Sequence, residues 1–88
     1  MKKFKLQIAS PDGMKFDGEA VQLSVRGICG DLAVLAGHIP LVTALREGEC
    51  RVYLEDGEKI RHAYSSGGML MVSHDGVRLM SSEFIWKD

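Results

Sequence analysis

Apolar and polar residues alternate with a period of two along most of this chain. Phe4, Leu6 and Ile8 alternate with Lys5 and Gln7, and Val21, Leu23 and Val25 alternate with Gln22 and Ser24. Successive side chains of an extended strand point to opposite faces, so each of these segments carries one apolar face. Cys50, Val52 and Leu54 repeat the pattern against Arg51 and Tyr53, and Lys59 to Tyr64 reads as the return strand. Between them Asp56-Gly57 predicts the positive φ angles of a tight hairpin. Met69 to Ser73 is almost continuously apolar, as a strand covered on both faces would be. Asp75-Gly76 then leads into Val77 to Met80 and closes a second hairpin.

Turn signals punctuate the chain at short intervals: Pro11-Asp12-Gly13, Gly18, Gly27 with Gly30, Gly37 to Pro40, Glu47-Gly48 and Gly67-Gly68. Leu41 to Leu45, just after Pro40, is too short for an independent helix and reads as a short strand or turn. Many short strands with regular glycine turns predict an all-β fold, an antiparallel sandwich or flattened barrel whose two apolar faces hide each other. The segment Gly27 to Leu45 packs three glycines and a proline among apolar residues. It predicts short strands at one end of the sandwich, with Asp31 and His38 at the tips. The bland expectation is a solvated turn for Asp31 and a local hydrogen bond to turn backbone for His38.

Eighty-eight residues make one domain, residues 1–88. A chain of this size buries only about 60% of the surface it exposes when unfolded, so a partner, disulfide or metal is worth seeking. Hydrophobic residues at 45% and charged residues at 26% exclude long disorder and collagen-like sequence. Eleven Lys and Arg against twelve Asp and Glu give a net charge of −1, which provides no global field toward nucleic acid or anionic lipid. Met1-Lys2-Lys3-Phe4-Lys5 is basic like the start of a signal peptide, but Gln7, Ser10 and Asp12 interrupt any apolar run, so the chain is expected to be mature from Met1. No stretch approaches the roughly 20 apolar residues of a membrane span, so membrane association would run through another protein, without direct insertion.

The chemical search is mostly empty. No phosphate-cradling GxxxxGK[ST] or GxGxxG segment occurs. His38, His62 and His74 lie on separate predicted elements without zinc-like spacing. Cys29 and Cys50 form no Cys-x-x-Cys motif and read as two buried thiols; a disulfide would require the fold to bring them together. The aromatics Phe4, Phe16, Tyr53, Tyr64, Phe84 and Trp86 lack the basic interleaving of an oligonucleotide-binding barrel and are expected in core or rim. The methionines, Met69, Met71 and Met80 among them, are expected to fill gaps in a small core. No catalytic residue, cofactor or metal site is expected.

Gly30 to Leu45 closely resembles the G-E-L-G-[IV]-L-P-G-H-A-P-L-[LV]-T-A-L signature of the epsilon subunit of F-type ATP synthases. Ser10 and Phe16-Asp17-Gly18 resemble that family's opening strand and turn, Gly48 with Arg51 its next strand, and Ser66-Gly67-Gly68 its S-G-G turn. The resemblance covers about residues 4 to 80. It implies a ten-stranded β-sandwich without catalysis, a central-stalk (rotor) subunit that joins gamma to the polar loops of the c-ring and couples ion translocation to ATP synthesis. It implies a peripheral place on the cytoplasmic face of the bacterial plasma membrane. Residue by residue, Asp31 takes the position of the acidic residue facing the c-ring, and Ser10, His38 and Thr43 match gamma-facing positions. Ala33 and Ala36 depart from a usual Gly and Pro. The tail Ser81 to Asp88 departs from the alanine-rich sequence that leads into two carboxy-terminal helices, so no helical hairpin, and none of its inhibitory action, is expected here. Trp86 is expected either to cap an open end of the sandwich or to fray. The competing reading is a stand-alone β-sandwich interaction module with a different partner.

Overall fold

The computed structural model describes residues 2–56 and 58–88. Their regular structure is all strand: β1 Phe4–Ser10, β2 Gly13–Ala20, β3 Gln22–Gly27, β4 Gly30–Leu35, β5 Leu41–Leu45, β6 Gly48–Leu54, β7 Lys59–Ser65, β8 Gly68–Ser73, β9 Gly76–Ser81 and β10 Phe84–Trp86. No helix occurs among the described residues. The expected β6–β7 hairpin forms, pairing Leu54 with Lys59, although the turn glycine, Gly57, lies outside the described residues. Glu55 at its start takes φ 57°, a left-handed conformation that non-glycine residues adopt mainly in tight turns.

The strands form one continuous path, β10-β7-β6-β3-β5-β8-β9-β1-β2, with β4 added to the outside of β3. Strands β3 and β5 meet at only one register pair, Gly27 with Leu45. At this corner the ribbon folds over into two layers, β10-β7-β6-β3-β4 and β5-β8-β9-β1-β2. The apolar faces of the two layers then meet: Leu6 and Ile8 of β1, Leu23 and Val25 of β3, Cys50 and Val52 of β6, Leu70 and Val72 of β8, and Val77 and Leu79 of β9 are all buried together. These are the alternate positions that the period-two pattern selects. Burying each such side chain is worth roughly 1.5–3 kcal/mol, and this is the main force holding the layers.

The topology corrects several sequence expectations. One pairing is parallel, β1 with β9, placing Leu6 beside Val77 and Ile8 beside Leu79. No short turn links these strands, so nothing forces them antiparallel, and the parallel register still sends both apolar sets inward. Strand β2 was not legible because its sequence, GMKFDGEA, lacks alternation. Gly18 and Phe16-Asp17 lie inside it and do not form a turn. Strand β8 is not covered on both faces: Leu70 and Val72 are buried while Met69 is exposed and Met71 half-buried. Gly68, at φ 146°, is required where it stands, because a Cβ there would collide with the Met80 carbonyl.

The two ends of the path, β2 and β10, face each other across Trp86. Its indole N–H donates to the Lys15 carbonyl of β2 at 3.1 Å. Its ring meets Phe84 edge-on at 5.1 Å and Phe16 of β2 at 6.2 Å, and the Arg61 guanidinium lies 3.8 Å from the ring centroid. Asp88 holds Arg61 from the other side at 2.9 Å. Trp86 is therefore a seam closure and does not fray. Truncating it leaves a void between two otherwise unpaired edges and an unsatisfied carbonyl. Trp86→Ala is expected to destabilise the chain by about 2–4 kcal/mol in denaturant unfolding, and Trp86→Phe, which keeps ring packing, by less. Equal losses for the two variants would show that the ring stacking contributes nothing.

Candidate partner interface

The two outer faces of the sandwich differ in chemistry. On the β5-β8-β9-β1-β2 layer, cross-strand register puts Ala44 beside Met69, Met69 beside Met80, Met80 beside Ala9, and Ala9 beside Met14. Ile28 extends the line, since its N–H donates to the Ala44 carbonyl at 3.0 Å. Ile28 is 57% exposed, Met14 55%, Met80 46% and Met69 40%. The result is an apolar row across five strands that faces outward. The next row, Val42, Met71, Arg78, Gln7 and Asp17, becomes polar toward β2 and lines an open groove of about 740 Å³. The expectation that the methionines fill the core is thus overturned for Met14, Met69 and Met80. The core was already filled by branched residues at the alternate positions, and the methionines fall on the opposite parity.

The outer face of the other layer is a network of charges. His62 Nδ1 and the Glu49 carboxylate are 2.8 Å apart, and Arg51 approaches the same carboxylate at 3.7 Å. The Tyr64 hydroxyl donates to Glu47 at 3.1 Å. The His62 hydrogen bond holds the Glu49 carboxyl below its ordinary range, while the hydrogen bond to Glu47 raises the Tyr64 phenol. These groups satisfy one another in water. The methionine row has no such internal partner, and contiguous exposed apolar surface of this kind marks interaction sites.

Of the sequence-predicted interface residues, the fold brings only some together. Ser10 ends β1 and Asp31 is the second residue of β4, and both lie at the end of the sandwich that carries the Ile28-Cys29 tip. His38 lies beyond the other end of β4, in the connection to β5, so Asp31 and His38 do not share an end as expected. A six-residue strand between them guarantees that separation. His38 does make the expected turn contact, its Nδ1 donating to the Ile39 carbonyl at 2.8 Å. Thr43 sits mid-strand beside buried Leu70, half-buried, with its hydroxyl donating to the Ala44 carbonyl at 3.3 Å. Ser10 bonds to Asp12, which also takes Lys15 at 2.9 Å. The Ser10 hydroxyl first, and then Lys15, lower the Asp12 carboxyl to about 2. Period-two logic could have flagged the methionine row had it been applied to the outward positions.

The two cysteines are free, and only Cys50 is buried. Cys29 is exposed because it occupies the two-residue β3–β4 turn, whereas burial pushes the Cys50 thiol up to about 12. Among the described residues no group of three or more His, Cys, Asp and Glu is placed to hold a metal ion, and no helix is long and apolar enough to cross a membrane.

This architecture places the chain among small closed β-sandwich domains. Residues 3–87 match the family described as ATP synthase, Delta/Epsilon chain, beta-sandwich domain, and the chain belongs to that family. An ATP synthase epsilon chain of Chromohalobacter salexigens is 41% identical over 81 residues, covering 92% of this chain and 57% of the relative. One from Bacillus velezensis is also 41% identical over 81 residues, covering 92% and 60% respectively. This chain therefore spans little more than half the length of these curated relatives. Among solved structures, a chain of the Euglena gracilis mitochondrial ATP synthase, OSCP/F1/c-ring in rotational state 1, superposes with a TM-score of 0.86 at 26% identity. That match covers 96% of this chain and 53% of the other.

Two measurements check the local chemistry. Thiol labelling of the native chain at mild alkaline pH is expected to modify Cys29 and spare Cys50 until unfolding; equal reactivity would contradict the burial. Asp12 has a folded value depressed below the ordinary one of 3.8. Its contribution to stability is therefore fully present above about pH 4 and is lost as pH falls toward about 2. In an NMR titration Ser10→Ala should raise the Asp12 midpoint, and an unchanged midpoint would remove Ser10 as the cause.

Proposed function

We propose that this chain acts as a non-catalytic central-stalk (rotor) subunit of an F-type ATP synthase, joining gamma to the c-ring and so coupling ion translocation to ATP synthesis. The membership in the delta/epsilon family supports this reading. The observation that carries it is the outward methionine row on the β5-β8-β9-β1-β2 layer, an apolar face that a partner subunit must cover. Torque transmission needs a stiff body and a broad docking face, and neither requires a bond-making site. Gamma is the occupant of this face, with Ser10 and His38 near its opposite ends; Thr43, on the inward side of β5 beside Leu70 of β8, contributes from the rim of the layer. Asp31, at the exposed end with the Ile28-Cys29 tip, meets the polar loops of the c-ring. The assembly then sits peripherally on the cytoplasmic face of a bacterial plasma membrane.

The test is binding to a purified gamma subunit. Met69 and Met80 are exposed, so Met69→Glu and Met80→Lys should leave thermal unfolding nearly unchanged. Each nevertheless puts a charge in the centre of the docked face and should weaken association roughly tenfold or more. Undiminished gamma binding by both variants would reject this face. In reconstituted complexes assembled with saturating gamma, Asp31→Lys should lower ion pumping per ATP hydrolysed; unaltered coupling would reject the placement of Asp31 at the c-ring.

A further inference from the structure

We propose that β4 is an open docking edge that takes up an extended strand from a partner chain, adding one strand to the β10-β7-β6-β3-β4 layer. The starting point is hydrogen-bond parity. The Arg26 carbonyl of β3 accepts from the Arg46 N–H, and two residues on the Ile28 N–H donates to the Ala44 carbonyl of β5, both on the side away from β4. The alternate residues of β3, namely Leu23, Val25 and Gly27, therefore turn toward β4, where they stand opposite Val34, Leu32 and Gly30. That leaves Asp31, Ala33 and Leu35 with their backbone groups directed outward. The one bond found there agrees: the Leu35 carbonyl accepts from the His38 N–H at 3.1 Å. Among the described residues no other bond reaches the amide or carbonyl of Asp31 or Ala33, or the amide of Leu35.

Proteins usually blunt an exposed edge with a lysine, a proline, a bulge or a covering segment. Strand β4 has none of these. Its register with β3 is unbroken from Gly27↔Gly30 to Gln22↔Leu35, its outward residues are exposed, and Leu35 is 49% accessible. The other two ends of the path are protected, since β2 and β10 close on each other through Trp86. Strand β5, the neighbouring edge, is partly occupied by the Ile28 N–H at its Ala44 carbonyl.

Charge selects the occupant. Asp31 stands opposite Arg26, yet no ion pair joins them among the described residues. The Arg26 side chain instead runs across Gly48 at the start of β6, filling the space where a Cβ would be. Asp31 is thus left without a cation beside an edge of small and apolar residues, Ala33 and Leu35. The fitting partner strand carries a Lys or Arg opposite Asp31 and apolar residues toward Leu35. A second copy of this chain offers no such cation in β4, which disfavours self-pairing. Main-chain bonds then supply affinity and the cation sets register.

The inference rests on the reading that gamma docks on this chain, and amide exchange separates the two. In the free 88-residue chain the amides of Leu32 and Val34 should exchange slowly and those of Asp31, Ala33 and Leu35 quickly. With purified gamma bound, these last three should slow by roughly tenfold or more. Ala33→Pro removes only an outward N–H, a change an edge position tolerates. It should weaken gamma binding roughly tenfold, as expected for a lost intermolecular backbone bond, while Ala33→Thr binds normally and the Leu32 and Val34 amides stay protected in both. Gamma binding that leaves Asp31, Ala33 and Leu35 fast overturns the strand pairing alone. Absence of any gamma binding overturns the docking reading and this inference with it. Protection of the same amides by concentration-dependent dimerisation, without gamma, overturns the choice of occupant.

Discussion

The contact between β2 and β10 across the Trp86 ring turns a ten-strand ribbon into a closed core. A ribbon folded once, at the Gly27–Leu45 corner, has two faces to bury and two ends to protect. The alternating residues bury the faces. The ends carry unpaired backbone groups, which cannot be left against an apolar interior without cost. Trp86 covers them with ring surface while its indole N–H satisfies the Lys15 carbonyl, and Arg61, itself held by Asp88, closes the outer side of the ring. A chain this small has few core residues to spare, so one large side chain at the seam weighs heavily.

Once the seam is closed, the outward faces are free to differ. The β6–β7 face uses Glu49, Arg51, His62, Glu47 and Tyr64 to pair with one another, which suits a surface left in water. The β8–β9–β1 face presents Met69, Met80 and Met14 instead. Methionine is flexible and polarizable and adapts to an irregular partner surface, a property fitted to the gamma contact proposed above. The proposed gamma contact and the open β4 edge lie on opposite sides of the Gly27–Leu45 corner, so a single partner wrapping that corner would engage both.

The alternating strands β1, β3, β6 and β9 were legible because one apolar and one polar face leave a period that no other element reproduces. Strand β2 escaped because Gly18 and Asp17 interrupt its pattern, and β10 because three residues carry too short a period to read. The methionines misled for a related reason: apolar composition identifies candidates for burial, but parity along the strand decides which are buried, as Leu70 and Met69 show side by side. Of the candidate interface, Asp31, His38, Ser10 and Thr43 came from a family signature, whereas the methionine row that unites five strands came from cross-strand register, and no linear pattern contains it.

The sequence by itself determined an all-β chain, the inward residues of its clearest strands, several of its turns and the family signature between Gly30 and Leu45. These are local properties, set by alternation, by glycine at positive φ and by residue order. The tertiary structure alone decided that β1 lies parallel to β9, that Trp86 seals the seam, that Asp31 and His38 stand at opposite ends, and that Cys29 is exposed while Cys50 is buried. Each depends on which distant strands become neighbours. That choice is made by the total apolar area hidden when the ribbon closes, a quantity that belongs to the whole chain and to no segment of it.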